Sequence, residues 1–420
     1  MYYQRTLSNG LRVVAQKMEG FRSVSVGIWT QTGSANEACE KERGITHFIE
    51  HMLFKGTQTR TAQQIAEEMD AFGGILNAFT SKECTCYHAR VAEEQLDATF
   101  DLLSDLVLHS KLDPQEMEKE KGVVVEEINM SEDTPEDLVH DLLAKAYFGD
   151  HPLGLPILGN VQSVQGFTRQ DLADYMQRRY VPENLVVSAA GNVDFEHLCD
   201  LVEEKMGMLP SAGKAPEQYA AFEPQGSRML TRVKPIEQAH LCICVPGYAI
   251  DDDANFALSV FNNAFGGSMS SRLFQKIREQ RGLAYDVYSH PSGYRSCGTF
   301  SVYTGVNAAH AEEVVALVID EMEAIARQGL SKEEFERSKQ QLRGNYILGL
   351  ESTNTRMNAI GKAVTLTGKL RTEEENLAGI DAVTLDGMMD VLPRVLNRSC
   401  LCASAVGKIQ PERMEKTLES

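Results

Sequence analysis

The 420-residue sequence predicts an α+β protein of two homologous domains, each a mostly antiparallel β-sheet packed with α-helices. Length points to two domains, because single hydrophobic cores stop growing beyond roughly 250–300 residues. An internal repeat points the same way: residues 112–121 (LDPQEMEKEK) are paralleled 218 positions later by residues 330–339 (LSKEEFERSK), and the apolar run 184–191 by 399–407. Short runs of β-branched residues with period-two alternation, separated by longer stretches with helical periodicity, supply the α+β reading. The one extended Pro/Gly/Ala-rich stretch, residues 210–227, is the expected linker between an N-terminal domain, 1–209, and a C-terminal domain, 228–420.

Taken in order, two β-like runs flank Asn9-Gly10 and read as a hairpin. Residues 23–30 alternate Val24, Val26 and Ile28 as a strand, and a Gly33-Ser34-Ala35-Asn36-Glu37 loop leads into a short helix over 44–56. A second helix spans 61–72 and closes on Gly73-Gly74; residues 75–80 and 85–91 then read as a strand pair. Helices are expected to dominate over 92–110 and from 113 to about 148, then over 169–180, with a buried strand at 184–191 and a helix through Met206.

The helix over 44–56 carries the chemistry. Residues three and four apart share a helix face, so His47, Glu50 and His51 project together while Ile45, Phe48, Ile49, Met52 and Leu53 can enter a core. Two imidazoles one turn apart can bind a zinc ion, and a carboxylate that is not a ligand can take the proton of a water the metal activates. The order His-x-x-Glu-His is the inverted form of the commoner His-Glu-x-x-His peptidase signature. Catalytic zinc takes three protein ligands, so a third donor is required. The long acidic helix offers Glu116, Glu118, Glu120, Glu126 and Glu127, among which spacing does not choose; Val123-Val124-Val125-Glu126-Glu127-Ile128 sets carboxylates in an apolar patch, where a buried acid needs a partner. In the second repeat Ser338 and Asn345 stand where Glu120 and Glu127 stand in the first, and Gly266-Gly267-Ser268-Met269 lies near the place of the histidine pair, so no metal set is expected there.

A net charge of −19 argues against nucleic acid and anionic membrane surfaces and favours basic or unstructured peptide partners. No run reaches the roughly 18 apolar residues that span a bilayer, and Met1-Tyr2-Tyr3-Gln4-Arg5 lacks the apolar core of an export signal, so a cytoplasmic protein is expected. Of nine cysteines, Cys84/Cys86, Cys242/Cys244 and Cys400/Cys402 sit two apart in β-like runs, as small apolar core residues in a reducing compartment would.

Across essentially its whole length the chain resembles the pitrilysin/insulinase family of zinc peptidases, in the short branch that includes the mitochondrial processing peptidase. The resemblance implies a third zinc ligand 76 residues beyond the second histidine, which is Glu127, and a supporting glutamate seven positions earlier, Glu120. It implies that Asn77 and Ala78, in Asn77-Ala78-Phe79-Thr80, belong to a strand whose edge pairs with substrate backbone. It also implies that Arg278 and Tyr285 contact substrate near the scissile bond, where guanidinium and phenol donate hydrogen bonds to the tetrahedral oxyanion. The large members carry four such units in one chain and this chain has two, so a partner is expected: a second copy in a homodimer, or a hetero-partner. The function implied is a zinc metalloendopeptidase holding one Zn2+ per chain on His47, His51 and Glu127, with Glu50 as base and then acid; the alternative is a non-catalytic structural or scaffold paralogue of an active subunit.

Overall fold

The structure, a computed structural model, describes residues 1–213 and 218–419. Its strands are β1 (Tyr2–Thr6), β2 (Arg12–Lys17), β3 (Ser23–Thr30), β4 (Ile75–Thr80), β5 (Thr85–Ala92), β6 (Leu185–Gly191), β7 (Met229–Val233), β8 (Gln238–Gly247), β9 (Ala284–Gly293), β10 (Gly298–Asn307) and β11 (Cys402–Gly407). Its helices are α1 (Ile45–Leu53), α2 (Ala62–Ala71), α3 (Leu96–His109), α4 (Pro114–Asp133), α5 (Pro135–Phe148), α6 (Val161–Gly166), α7 (Arg169–Arg179), α8 (Phe195–Met206), α9 (Ala254–Phe265), α10 (Ala311–Gln328), α11 (Lys332–Gly349), α12 (Thr353–Thr367), α13 (Glu373–Ala382), α14 (Leu385–Val395) and α15 (Pro411–Glu419).

Two mixed, largely antiparallel sheets are present, ordered β1-β2-β6-β3-β5-β4 and β7-β11-β8-β10-β9. Without the β1 hairpin strand, the first sheet runs parallel, antiparallel, antiparallel, antiparallel across its pairs, and the second sheet repeats that pattern. The repeat read from the sequence is therefore a repeat of topology. One face of each sheet buries a large apolar cluster: Val26, Ile28, Phe48, Phe100 and Val187 in the first, Ile243, Phe261, Phe300 and Val318 in the second. At roughly 1.5–3 kcal/mol for each fully buried large side chain, these clusters dominate the folding energy.

The two compact units do not follow the chain as two simple halves. The first comprises Met1–Asn129, Leu155–Tyr219 and Leu348–Leu370; the second comprises Met130–Gly154, Ala220–Ile347 and Arg371–Ser420. Each repeat thus gives up one helix. Helix α12, from the second half, lies on the remaining face of the first sheet, where Ser25 Oγ meets Thr353 Oγ1 at 2.9 Å and Arg12 donates to the Val364 carbonyl at 2.7 Å. Helix α5, from the first half, lies on the second sheet, where Ser404 Oγ donates to the Val139 carbonyl at 2.6 Å and the His140 ring stacks on Tyr303. Both helices hold the same place in their repeats, and sequence similarity reports that place without reporting which copy receives the helix. Of the 210–227 stretch, residues 214–217 lie outside the described residues.

The helical stretch expected from 113 to about 148 consists of two helices, α4 and α5. Thr134 is extended (φ −85°, ψ 109°) because the ring of Pro135 disfavours the helical region for the residue before it, and α5 starts afresh at the proline. The first helix of interest, α1, stops at Leu53, short of Gly56, which has φ +115°. Cys84, Cys86, Cys242, Cys244 and Cys402 are buried, and all nine thiols are free. Among the described residues no helix is long and apolar enough to cross a membrane.

Helix α12 packs onto Trp29, the only tryptophan, whose Nε1 donates to Ser188 Oγ at 2.8 Å. A Cβ on Gly361 of α12 would sit 2.2 Å from that Nε1 and 2.6 Å from Ser188 Oγ, so Gly361→Ala should cost about 1–3 kcal/mol. Chemical denaturation followed by tryptophan emission measures this, and an unchanged midpoint would show that α12 does not pack so tightly.

Candidate active site

Helix α1 has nine residues, too few to persist in isolation, and is held by packing of Ile45, Phe48, Ile49, Met52 and Leu53 into the first core. The opposite stripe turns His47, Glu50 and His51 toward α4, whose Met117 and Val124 enter the same core. Packing both helices into one apolar cluster closes the 76-residue gap between His51 and Glu127. One donor atom from each of His47, His51 and Glu127 lies within 4.8 Å of the others. Glu127 Oε2 stands 3.8 Å from His47 Nε2 and 3.5 Å from His51 Nε2, too far for hydrogen bonds to either.

Among the described residues that oxygen is buried without a hydrogen-bond partner, as is His47 Nδ1. An orphaned carboxylate oxygen facing two imidazole nitrogens is an arrangement that a divalent cation completes and that the protein alone leaves costly. Two nitrogens and one oxygen suit zinc, and the residues fit the ion. Of the five glutamates considered from the sequence, Glu127 enters the cluster and Glu120 stands behind it. Glu120 Oε1 accepts from His51 Nδ1 at 2.8 Å, and Lys55 Nζ donates to Oε2 at 2.7 Å. Glu116 and Glu118 pair with Lys119 and Lys121, and Glu126 is exposed. The pairing with Glu120 fixes the ring of His51 and directs Nε2 toward the cluster.

Burial, with the neighbouring His51, lowers the His47 pKa to about 4, keeping it neutral. For His51 burial pulls down, but the Glu120 hydrogen bond and the charges of Glu127, Glu120 and Glu50 outweigh it and the pKa is raised. Burial likewise raises Glu120, but there its bonds to His51 and Lys55 prevail and hold it below the usual carboxylate range. Burial raises Glu50, against the hydrogen bond that Thr80 Oγ1 donates to its Oε2.

Thr80 ends β4, which among the described residues pairs only with β5 and so presents a free edge. Asn77 and Ala78 lie on that strand, opposite His88 and Tyr87, with Asn77 Oδ1 accepting from the Ala78 amide at 2.8 Å. Arg278 and Tyr285 belong to the second unit. Arg278 sits in a π-helical turn, Phe274–Glu279, with its guanidinium carbon 4.7 Å from the Phe274 ring centre and 5.0 Å from that of Tyr285, and Tyr285 is 79% exposed. Among the described residues the second unit has no metal-binding group; Ser338, in the place of Glu120, is buried with its carbonyl accepting from Asn263 at 2.9 Å.

Three residues of the site escaped the sequence reading. Lys55 stands one turn beyond His51, a spacing that could have suggested it. Thr80 adjoins the Asn77-Ala78 pair, but no periodicity ties it to Glu50. Glu37, 6% exposed, accepts from the Gly44 amide at 2.9 Å and the Thr46 amide at 3.3 Å; burial pushes its carboxyl up to about 8, against those two bonds.

Residues 12–161 match the insulinase family (peptidase family M16), and residues 166–342 match the peptidase M16 inactive domain. The chain belongs to this family. It is 43% identical over 387 residues to the uncharacterized zinc protease YmxG of Bacillus subtilis, covering 92% of this chain and 93% of that one. It is 41% identical over 404 residues to an uncharacterized zinc protease of Streptomyces coelicolor, covering 94% and 87%. The fold is that of a crystal structure described as the peptidase M16 inactive domain from Pseudomonas fluorescens (TM-score 0.91, 18% identity, 98% of each chain). A protease from Helicobacter pylori is similarly close (TM-score 0.90, 22% identity, 97% and 99% of the chains).

The two imidazoles titrate apart, which sets how acid expels a metal. A protonated imidazole cannot bind, and only His51 carries a proton between about pH 4 and its raised pKa above 6.5. In Glu50→Gln protein, which removes the nearby carboxyl, zinc affinity should therefore fall about tenfold per pH unit once the pH drops below the His51 pKa, down to about pH 4. Chelator competition at stepped pH measures the slope; a fall of about a hundredfold per unit would mean that both rings titrate together.

Proposed function

We propose that the chain is a zinc-dependent endopeptidase hydrolysing internal bonds of peptides or unfolded segments, with zinc on His47, His51 and Glu127. The observation that carries this reading is the convergence of two imidazole nitrogens on a buried, partnerless carboxylate oxygen, with Glu50 one residue from a ligand and outside the cluster. The names of the relatives, zinc proteases, support it. When bound, a zinc ion supplies Lewis acidity, polarising a carbonyl and acidifying water.

The chain's own groups do the rest. Glu50 takes the proton of the attacking water and returns it to the leaving amine; its raised pKa brings it nearer the working pH and eases the second transfer. Thr80 occupies one oxygen of Glu50 and leaves the other for the water. Glu120 keeps His51 aimed at the cluster. The free edge of β4 at Asn77 and Ala78 can add an extended peptide as a further strand, gripping backbone without reading sequence. Arg278 and Tyr285 supply donors to the oxyanion, in a chamber completed by a partner chain, a second copy in our reading and a hetero-partner otherwise. A non-catalytic paralogue would have no need of a complete set of His47, Glu50, His51, Glu120 and Glu127, and the chain retains every one.

Glu50→Gln should retain one zinc per chain yet lose peptide cleavage by at least about a hundredfold, because an amide of the same shape cannot accept the proton. Glu127→Ala should lose the metal as well, read by elemental analysis. Ordinary turnover by the first variant, or full zinc in the second, would refute the mechanism or the ligand set respectively.

The same reading makes a site shared between chains. Glu50→Gln protein and Arg278→Ala protein, each inactive, should regain cleavage when mixed under conditions of subunit exchange, since one mixed site per dimer combines both intact residues. Exchange demonstrated by native mass spectrometry without recovered activity would mean that each chain completes its own site or that the assembly is different.

A further inference from the structure

We propose that Glu37 is a positioning residue for the metal helix: its carboxyl group grips the first amides of α1 and sets the register from which His47 and His51 reach the metal. The inference rests on the zinc reading above. A helix leaves its first four amides without intrahelical acceptors, and they are usually satisfied by a capping side chain in sequence. Helix α1 has none: its N-cap is Gly44, and no acidic residue occupies its first turn. The acceptor comes instead from the preceding loop, with Glu37 Oε2 taking the Gly44 amide at 2.9 Å and Oε1 the Thr46 amide at 3.3 Å. Both oxygens are engaged, and Thr46 is the residue next to His47.

The surroundings leave the head of α1 no room to slide once Glu37 is in place. Gly44 is left-handed (φ +84°), and a Cβ there would lie 2.5 Å from the Leu158 carbonyl oxygen; one on Gly159 would lie 2.4 Å from that of Arg43. Two backbones therefore touch. Ser163 Oγ donates to the Arg43 carbonyl at 2.6 Å, and Thr46 Oγ1 joins Tyr175 Oη at 3.0 Å, which in turn meets Thr32 Oγ1 at 2.9 Å. A carboxyl group suits this place better than an amide, because each of its oxygens can accept one of the two converging N–H groups, whereas a glutamine would turn an NH2 donor toward one of them. Metal sites depend on such outer partners, whose loss typically costs about 10–100-fold in metal affinity.

The test is zinc binding to metal-free protein by competition with a chromophoric chelator, paired with the visible absorption band of the cobalt(II)-loaded protein, for wild type, Glu37→Ala and Glu37→Gln. Glu37→Ala should bind zinc about 10–100-fold more weakly and shift the cobalt band, while Glu37→Gln should fall between it and wild type. A purely structural role would lower the melting temperature and leave both readouts of the folded protein unchanged, and that result overturns the proposal. Should Glu37→Ala fail to fold, Glu37→Gln decides: wild-type affinity and an unmoved cobalt band overturn it. Wild-type protein that binds no zinc removes the zinc reading and this inference together, whereas unaltered binding in the variants removes this inference alone.

Discussion

The site depends on one packing constraint: α1 and α4 must both pack into the same apolar cluster of the first unit. Phe48, Ile49, Met52 and Leu53 on one helix and Met117 and Val124 on the other enter that cluster, and their burial turns the opposite stripes toward each other. The geometry of the His47, His51 and Glu127 cluster is a by-product of core packing, since no contact within the polar cluster could hold two helices together against its own desolvation. A cavity under either helix would therefore be felt at the metal before it was felt in the sheet. The polar residues that do hold position, Glu120 behind His51 and Thr80 beside Glu50, act on side chains whose backbones the core has already fixed.

Electrostatically the site concentrates carboxylates where water is scarce. Glu50, Glu120 and Glu127 surround two imidazoles, with Lys55 as the cation bonded to Glu120. Burial separates their behaviour: the acid with two donors, Glu120, stays ionised, while the acid with one hydroxyl donor, Glu50, is pushed toward protonation. Divergent pKa values within one small volume are what acid–base chemistry requires of neighbouring carboxyls.

Much of this was legible in the sequence. The face shared by His47, Glu50 and His51 follows from helical spacing, and the duplicated architecture from the parallel between residues 112–121 and 330–339. Glu127 was not readable from spacing, because five acids on one helix present equal credentials until the core fixes which side faces α1; family resemblance supplied the choice. The exchange of α5 and α12 was invisible for a different reason: a helix that completes a sheet carries the same pattern whichever copy of the sheet it covers. Glu37 and Thr80 escaped because their bonds run between elements, Glu37 to backbone amides that look alike in every sequence.

The exchanged helices also order the events of synthesis. While the ribosome delivers the chain, β1 to β6 are all available once Gly191 has emerged, yet the face bearing Trp29 and Ser188 stays bare until Thr353–Thr367 follows, more than 160 residues later. The earlier half meanwhile carries α5 as a spare amphipathic segment with no sheet of its own to cover. The nascent half-protein thus leaves two apolar surfaces uncovered until the second half arrives. Duplication produced two similar units, and the swap made neither able to finish alone.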